Sequence, residues 1–470
     1  MLTHTVSFST TVLIALALTA VPCLAGETTN ADTLAELAHL RAVVNRQQQQ
    51  INRLLAQSNT QWLAERRTQQ VQDIVRALLA DADNRASLLQ SDVTAGYGKH
   101  FFIASEDAAF LLNTSIKLQL RYIYNIATED DVITENDTGD EQLQRIDDDE
   151  FGFEFRRTEI AFSGHVFDPR LTYKVKLQAS RSSGTVSADD IYIGYKLSDD
   201  WRLRLGQFKV PFLREFQVSS GRQQAVERSY VNHVFNINRS QGVMLSFRQP
   251  NLQADLMIHD GAASKNRNFA SDRTNIALAA RGQWLLAGKW KQFKDYAAWD
   301  GEPLGVMLGG ALDWENGEDG SGVDQPDALS YTFDLSIEVR RFNVLLACIA
   351  QHVFDNDSPA IPEPDQRGFV AQVGVFVVPD KIDLIARYEH VDLDGFFYNL
   401  RDGEFDQVED DSIELLTFGG NYYFKKHNAK LTIDVVWVMD PLPTNATGLG
   451  LLKSSNDDQV SVRTQFQLYF

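Results

Sequence analysis

The sequence has little of what stabilises small secreted domains or spans a membrane as helices. Only two of its 470 residues are cysteines. Cys23 lies in a segment that we predict to be removed, so Cys348 alone remains and no intramolecular disulfide is possible. No later stretch approaches the roughly 18 consecutive apolar residues that a transmembrane helix needs, which excludes membrane spans of that type.

Basic charge and catalytic motifs are also scarce. The chain has 44 Lys and Arg against 64 Asp and Glu, and its formal charge of −20 argues against nucleic acid as a partner. It has no Gly-x-Ser-x-Gly motif, and no metal-ligand spacing surrounds the histidines near strand ends, which are His165, His259, His352 and His390. We therefore predict no enzyme, no cofactor and no metal site. A hydrolase with a Ser–His pair assembled across strands is the alternative.

The N-terminal 25 residues have the pattern of a signal peptide. An apolar run at 12–21 is followed by Pro22-Cys23-Leu24-Ala25, with small residues at the −3 and −1 positions of a cut after Ala25. Cys23 also allows a lipoprotein anchor, although Pro22 directly before it fits that cleavage poorly. We expect the ordinary cut and export of the chain.

A helical pattern follows in residues 26–65, which we predict to form a short coiled coil. Apolar residues on a heptad register support it, and these are Leu34, Leu37, Val44, Ile51, Leu55 and Trp62. A single surface helix or a flexible linker is the alternative. Residues 66–108 are predicted to be an amphipathic helix and a linker, with Val71, Ile74 and Leu78 on one face.

From residue 109 to the end the hydrophobic period is 2, which predicts an all-β domain. Sixteen candidate strands are 109–125, 151–167, 170–181, 187–197, 200–209, 241–249, 252–260, 273–286, 304–315, 328–341, 342–354, 366–378, 381–391, 412–424, 428–439 and 457–470. Short turns and long loops nearly alternate between them, as in transmembrane antiparallel β-barrels. Two connections depart from this alternation: 182–186 is short on the side of the long loops, and 287–303 is long on the side of the short turns. We predict a barrel of about sixteen strands over 109–470, with eighteen as the alternative.

Charged residues share one phase of these strands, and a charge that faced lipid at mid-depth would cost about 2–4 kcal/mol. The charged residues must therefore face a wide, water-filled lumen. The final strand alternates from Val460 and stops at Phe470, which resembles the assembly signal of bacterial outer-membrane proteins. We predict a bacterial outer-membrane location in contact with its lipid. An even strand number with short turns inside places the N-terminal helix in the periplasm.

Several motifs resemble a known family. Ser105-Glu106-Asp107 precedes the first strand, Arg156-Arg157 lies in the second, and Gly206-Gln207-Phe208-Lys209-Val210-Pro211-Phe212 ends the fifth. Glu227-Arg228-Ser229 and Arg239-Ser240-Gln241-Gly242 follow. In these motifs the chain resembles the phosphate-selective porin O and P family over roughly residues 95–470. The resemblance implies a homotrimeric, sixteen-stranded porin whose third loop folds inward to narrow the pore.

The predicted pathway is basic in its first half. Loop 209–240 has five Lys or Arg against two Glu, and rings of such side chains select anions. The candidate ion-pathway residues are Lys117, Arg121, Lys174, Lys176, Arg202, Arg204, Lys209, Arg214, Arg222, Arg228 and Arg239. We predict passive diffusion of small solutes, with a preference for anions such as phosphate. Two alternatives stay open, a non-selective diffusion porin and a structural outer-membrane anchor tethered by the coiled coil.

The later strands carry the opposite charge on their polar phase. These residues are Asp255, Asp313, Glu315, Asp334, Glu338, Asp383, Glu389 and Asp434. A basic wall facing an acidic wall predicts a transverse electric field across the lumen.

Overall fold

The computed structural model divides the chain into two units, Met1–Ser91 and Asp92–Phe470. It describes residues 35–36, 38–53, 93–98, 100–135, 141–269, 274–317, 326–354, 362–401, 405–408, 411–453 and 459–470, without the side chains of 127–148 and 405. The predicted signal peptide and the amphipathic stretch at 71–79 lie outside these residues. No helix among the described residues is long and apolar enough to cross a membrane.

The first unit has a helix, described at residues 35–36 and 38–53. Of the predicted seam, Val44 and Ile51 lie on this helix with exposed fractions of 58% and 45%. The other apolar seam residues lie outside the described part of the chain. The helical pattern is therefore observed in the middle of the predicted segment, and its self-association stays a prediction.

The second unit is a closed antiparallel β-barrel of sixteen strands, as predicted. The barrel strands are β3 (Leu111–Glu135), β4 (Glu141–Val166), β5 (Asp168–Ala179), β6 (Val186–Lys196), β7 (Trp201–Lys209), β8 (Arg239–Arg248), β9 (Leu252–His259), β10 (Thr274–Ala287), β11 (Gly305–Gly317), β12 (Asp327–Val339), β13 (Phe342–Phe354), β14 (Asp365–Val378), β15 (Ile382–Asp392), β18 (Ser412–Lys425), β19 (Ala429–Val438) and β20 (Gln459–Tyr469). β20 pairs with β3 from Gln459↔Ala127 to Tyr469↔Lys117, which closes the barrel.

Alternation along each strand decides which side chains face outward. In β19, Ile433 and Val435 are 46% and 38% exposed on the outer wall, whereas Asp434 between them is 1% exposed. The outer wall is apolar because lipid offers no hydrogen-bond partners, and the polar residues face inward. The predicted charged-in, apolar-out arrangement is therefore observed.

The structure differs from the predicted strands in three places. A hairpin of β1 (Val93–Tyr97) and β2 (Phe101–Ser105) lies in the segment predicted as helix and linker, and β2 pairs with the start of β3. Five-residue strands are too short to establish a period in the sequence. Most of the predicted loop 126–150 instead extends β3 and β4, whose pairing reaches Glu135↔Glu141. The predicted loop 392–411 contains the small pair β16 (Phe396–Tyr398) and β17 (Phe405–Gln407).

Candidate functional site: the lumen and its inner loop

The connection between β7 and β8, residues 210–238, folds into the barrel and is called the inner loop here. It contains two short helices, Arg214–Gln217 and Tyr230–Phe235, and a 3-10 turn at Ser220–Arg222. The Ser229 side chain caps the second helix by accepting from the backbone N–H of Asn232. Most of the loop's apolar side chains are buried, as at Val210 and Tyr230, each 1% exposed. The fold therefore contains the inward third loop that the family resemblance implies.

Carboxylates of the acidic wall hold the inner loop by its backbone and side chains. The backbone N–H of Val226 donates to Oδ2 of Asp434 at 2.8 Å, and that of Tyr230 donates to Glu389. Nε2 of Gln224 donates to Oδ2 of Asp383 at 3.0 Å. Acceptors on the wall thus satisfy donors that a buried loop would otherwise leave unpaired.

Three carboxylates of that wall also lie beside a basic side chain. Arg281 lies 2.6 Å from Asp334, and Arg463 lies 2.7 Å from Asp434. Asp313 is 1% exposed and accepts from His259 at 2.9 Å. Seven of the eight carboxylates predicted for the acidic wall are buried, whereas Asp255 lines the open cavity described below. The transverse field predicted from the sequence stays a prediction.

A segment on the short-turn side covers more of the same half of the lumen. This connection, residues 288–304, is one of the two exceptions to the loop pattern, and its Trp299 is 5% exposed. The Trp299 ring lies 5.1 Å from the Phe376 ring and 5.0 Å from the Tyr423 ring. The backbone oxygen of Phe293 accepts from Arg214 of the inner loop, so the two inward segments are joined.

The open space lies on the other side of the inner loop, against β3 to β8. It is a cavity of about 710 Å³ whose lining includes twelve Lys or Arg and five Asp or Glu. Seven of the predicted pathway residues line it, namely Lys117, Lys174, Lys176, Arg204, Lys209, Arg228 and Arg239. The inner loop therefore leaves the basic wall as the lining of the passage.

Most of these cations have carboxylate partners. Eight of the twelve lie within salt-bridge distance of a carboxylate, and they are Lys117, Arg156, Arg157, Lys174, Lys176, Arg239, Arg248 and Lys265. Asp190 is a centre of this network, because it lies 2.7 Å from both Lys174 and Arg239. Glu159 joins Lys117 at 2.8 Å and Lys176 at 2.9 Å.

Three lining cations differ from the others. Arg204, Lys209 and Arg228 have no carboxylate within salt-bridge distance in the described part of the chain. Arg228 donates to the backbone oxygens of Glu215 at 3.1 Å and Val218 at 2.9 Å. Lys209 donates to the backbone oxygen of Phe216. No salt bridge among the described residues neutralises these three side chains, so their positive field can act on a mobile anion.

The comparisons with known proteins agree with this architecture. The family model described as phosphate-selective porin O and P matches residues 135–319, which run from the tip of the first hairpin past β11 and include the inner loop. Over these residues the chain is similar to this porin family. A protein of Aquifex aeolicus is 22% identical over 333 residues, which are 65% of this chain and 69% of the relative.

A solved porin structure shares the fold of the barrel. An anion-selective porin from Comamonas acidovorans superposes with a TM-score of 0.51 at 11% identity, over 76% of this chain and 99% of that one. The outer-membrane channel DcaP of Acinetobacter baumannii has a TM-score of 0.47 at 12% identity, over 76% and 97% of the two chains. The barrel therefore has the porin fold, and the protein is called a porin below for this fold.

The other four predicted pathway residues of this porin lie outside the large cavity. Arg121 is 0% exposed and pairs with Glu154 and Glu227. Arg202 lines a separate cavity of about 280 Å³ near the short turns. Arg214 donates to Phe293, and Arg222 is half-buried in the inner loop outside the cavity lining. Sequence phase alone could not separate cations that line water from cations that hold loops.

The sequence reasoning also missed residues that line the porin's cavity. Arg156 was not among the predicted pathway residues, and it lies in a bulge opposite Gln119 and Leu120. Lys265 comes from the loop after β9 and reaches Asp189 at 3.1 Å. The aromatic residues Tyr192, Phe208 and Phe216 also line the cavity. Residues that reach the cavity through loop folding or ring packing show no regular spacing in the sequence, so alternation could not predict them.

Proposed function

We propose that this porin passes small anions by passive diffusion along the basic wall. The single observation that carries the proposal is the set of Arg204, Lys209 and Arg228, three lining cations without a carboxylate partner in the described residues. In a narrow lumen with low-dielectric walls, uncompensated charge attracts counter-ions more strongly than on an open surface. Phosphate, the anion in the family's description, is one solute of this class.

The network around Asp190 supports the same function in a second way. Its cations are neutralised in part, so the wall presents a graded positive charge rather than a deep anion trap. Conduction needs binding that is weak enough for release. A non-selective porin would need no excess of unpaired cations on the one wall that stays open.

The test is the reversal potential across a KCl gradient in planar bilayers. The variants are Lys209→Gln combined with Arg228→Gln, and Lys196→Gln as the control, because Lys196 is paired with the exposed Asp199. We expect an anion-selective wild type, reduced anion preference in the double variant, and an unchanged control. The difference should shrink at high salt, where the Debye length falls to about 3 Å at 1 M. A cation-selective wild type would contradict the proposal.

We further propose that the chain is cut after Ala25 and that residues 26–65 associate as a trimer in the periplasm. The exposed Val44 and Ile51 support this, because apolar residues on a heptad seam are stabilised by burial between helices. N-terminal sequencing of the exported protein tests the cut. Sedimentation of the full-length porin, compared with a variant in which Val44→Ser and Ile51→Ser are combined, tests the association. A trimer of equal stability in both would contradict the proposed role of the helix.

A further inference from the structure

Each of the three lining cations that have no carboxylate partner among the described residues lies over an aromatic ring, as does the paired Arg239 at 5.6 Å from the Phe216 centroid. The Arg204 guanidinium carbon is 4.5 Å from the centroid of the Tyr192 ring and 5.1 Å from that of Phe208. Lys209 and Arg228 lie 4.6 Å and 5.1 Å from the centroid of the Phe216 ring. We call Arg204, Lys209, Arg228 and their three rings the aromatic–cation site, and all six residues line the 710 Å³ cavity.

The donors of this site are partly occupied by the protein. Nε and Nη2 of Arg228 donate to backbone oxygens, and Nζ of Lys209 donates to another. A small, strongly hydrated dianion needs many free donors to replace its water. Here the positive field remains although several donors are used, which favours a monoanion over a more strongly hydrated dianion.

The rings of Tyr192, Phe208 and Phe216 line the cavity beside these cations, and Tyr192 is the most exposed of the three. Tyr192 and Phe208 lie edge to face with centroids 5.9 Å apart. The Phe216 ring lies beneath Lys209 and Arg228. Planar guanidinium groups stack on aromatic faces, and aromatic groups associate with one another. The cavity volume falls within the range of sites for organic ligands. Site size, residual charge and apolar surface therefore match a single class of solute.

We propose that this porin preferentially takes organic monoanions in which a carboxylate is attached to an aromatic ring. The carboxylate is attracted by Arg204, Lys209 and Arg228, and the ring packs against Tyr192, Phe208 and Phe216. This inference rests on the proposed anion pathway, but it departs from phosphate as the favoured solute.

The test uses the full-length porin in planar bilayers with a KCl background. Benzoate, acetate and inorganic phosphate are added separately, and the concentration that halves the chloride current is measured. We expect benzoate to act at about fivefold lower concentration than acetate or phosphate. Phe216→Leu and, separately, Tyr192→Leu should reduce that ratio toward one. Tyr331→Leu is the matched control, because Tyr331 lies on the outer wall with 36% exposure and should keep the ratio.

Folding of each variant is checked by its heat-modifiable gel mobility, and the two ring variants are independent in case one of them fails to assemble. Equal action of benzoate and acetate, or stronger action of phosphate, in an anion-selective pore overturns this inference and leaves the proposed function standing. A pore without anion selectivity in KCl alone overturns both. An unchanged benzoate ratio in both folded ring variants also overturns the inference.

Discussion

Oε2 of Glu227 lies 2.7 Å from Nη2 of Arg157 on β4, and Glu227 also pairs with Arg156 and Arg121. Glu227 precedes Arg228 in the chain, yet it is held by the wall and leaves Arg228 without a carboxylate partner among the described residues. One acidic residue therefore fixes the inner loop, while its neighbour keeps an uncompensated charge. The division between structural and functional charges in this porin follows from that arrangement.

Replacing Glu227 should weaken the whole inner loop. In Glu227→Gln three guanidinium groups lose a carboxylate that is 2% exposed, and breaking a buried pair costs about 3–5 kcal/mol. We expect a lower temperature for the heat-induced gel-mobility shift of the folded barrel. Asp199→Asn is the control, since Asp199 is 95% exposed and an exposed pair contributes about 0–1 kcal/mol. Equal shifts in both variants would count against a special role for Glu227.

The anchoring of the inner loop should persist into acid. Burial alone would raise the pKa of Glu227, but Arg156, Arg157 and Arg121 hold this pKa well below its ordinary 4.5. A depressed pKa stabilises the fold fully above the ordinary value, and that stability is lost only as the pH falls through the lower folded value. We expect the difference in gel-mobility transition temperature between the wild type and Glu227→Gln to stay constant from about pH 8 to pH 5.

A second buried group supports the same expectation. Burial, with the charges of Arg401 and Arg156, lowers the pKa of His233 in the inner loop to about 3. His233 therefore stays neutral across the tested range and adds no charge to the loop. A loss of the difference in transition temperature that is centred at or above pH 4.5 would disprove the assignment.

Arg239 should affect selectivity for a different reason from Arg228. Its Nε lies 2.7 Å from Asp190 and its Nη2 lies 3.2 Å from Asp189, so Arg239→Gln leaves both carboxylates with fewer partners in the passage. We expect the ratio of anion to cation permeability to fall by about threefold or more, measured from reversal potentials. Arg239→Gln combined with Asp190→Asn should recover part of the loss. No recovery would show that Arg239 acts on its own charge alone.

The segment 288–304 should keep the acidic half of the lumen closed. Trp299→Ala removes a ring packed on Phe376 and Tyr423, and burying such a ring stabilises a site by about 3–5 kcal/mol. We expect a larger single-channel conductance with a shift toward cations, because acidic groups become accessible. Trp284→Ala on the outer wall, where the ring is 53% exposed, should leave conductance unchanged. Identical conductance in both variants would contradict this role.

The C-terminal residue closes the seam of the barrel. The backbone N–H of Ile116 donates to the oxygen of Phe470 at 2.7 Å, and the N–H of Phe470 donates to the oxygen of Ile116 at 3.0 Å. Deleting Phe470 removes this pair as well as the terminal aromatic residue. We expect less folded barrel in outer-membrane fractions, scored by heat-modifiable mobility. Phe470→Tyr keeps both hydrogen bonds and should assemble normally; an unchanged yield in the deletion would refute the expectation.

The sequence by itself determined the barrel. Alternation of side chains is a local property of extended backbone, so most strands were predicted within a few residues of their observed bounds, as for 342–354 and β13 at Phe342–Phe354. The exceptions are β3 and β4, which extend into the predicted loop 126–150. The lumen-facing cations followed from the same period, because charge is excluded from lipid. The inner loop was located by its length, its basic charge and its family-like motifs.

Only the tertiary structure decided what each lumen charge does. The sequence predicted both Lys174 and Arg214 as pathway residues. In the structure Lys174 lines the cavity, whereas Arg214 binds the segment 288–304 through the backbone oxygen of Phe293. The strand phase of Asp383 and Glu389 predicted an acidic wall. It did not predict that the inner loop would bind these carboxylates and cover them. Ion pairing depends on which charged residues a folded loop brings within a few ångströms of each other. The spacing of residues along the sequence does not encode these distances.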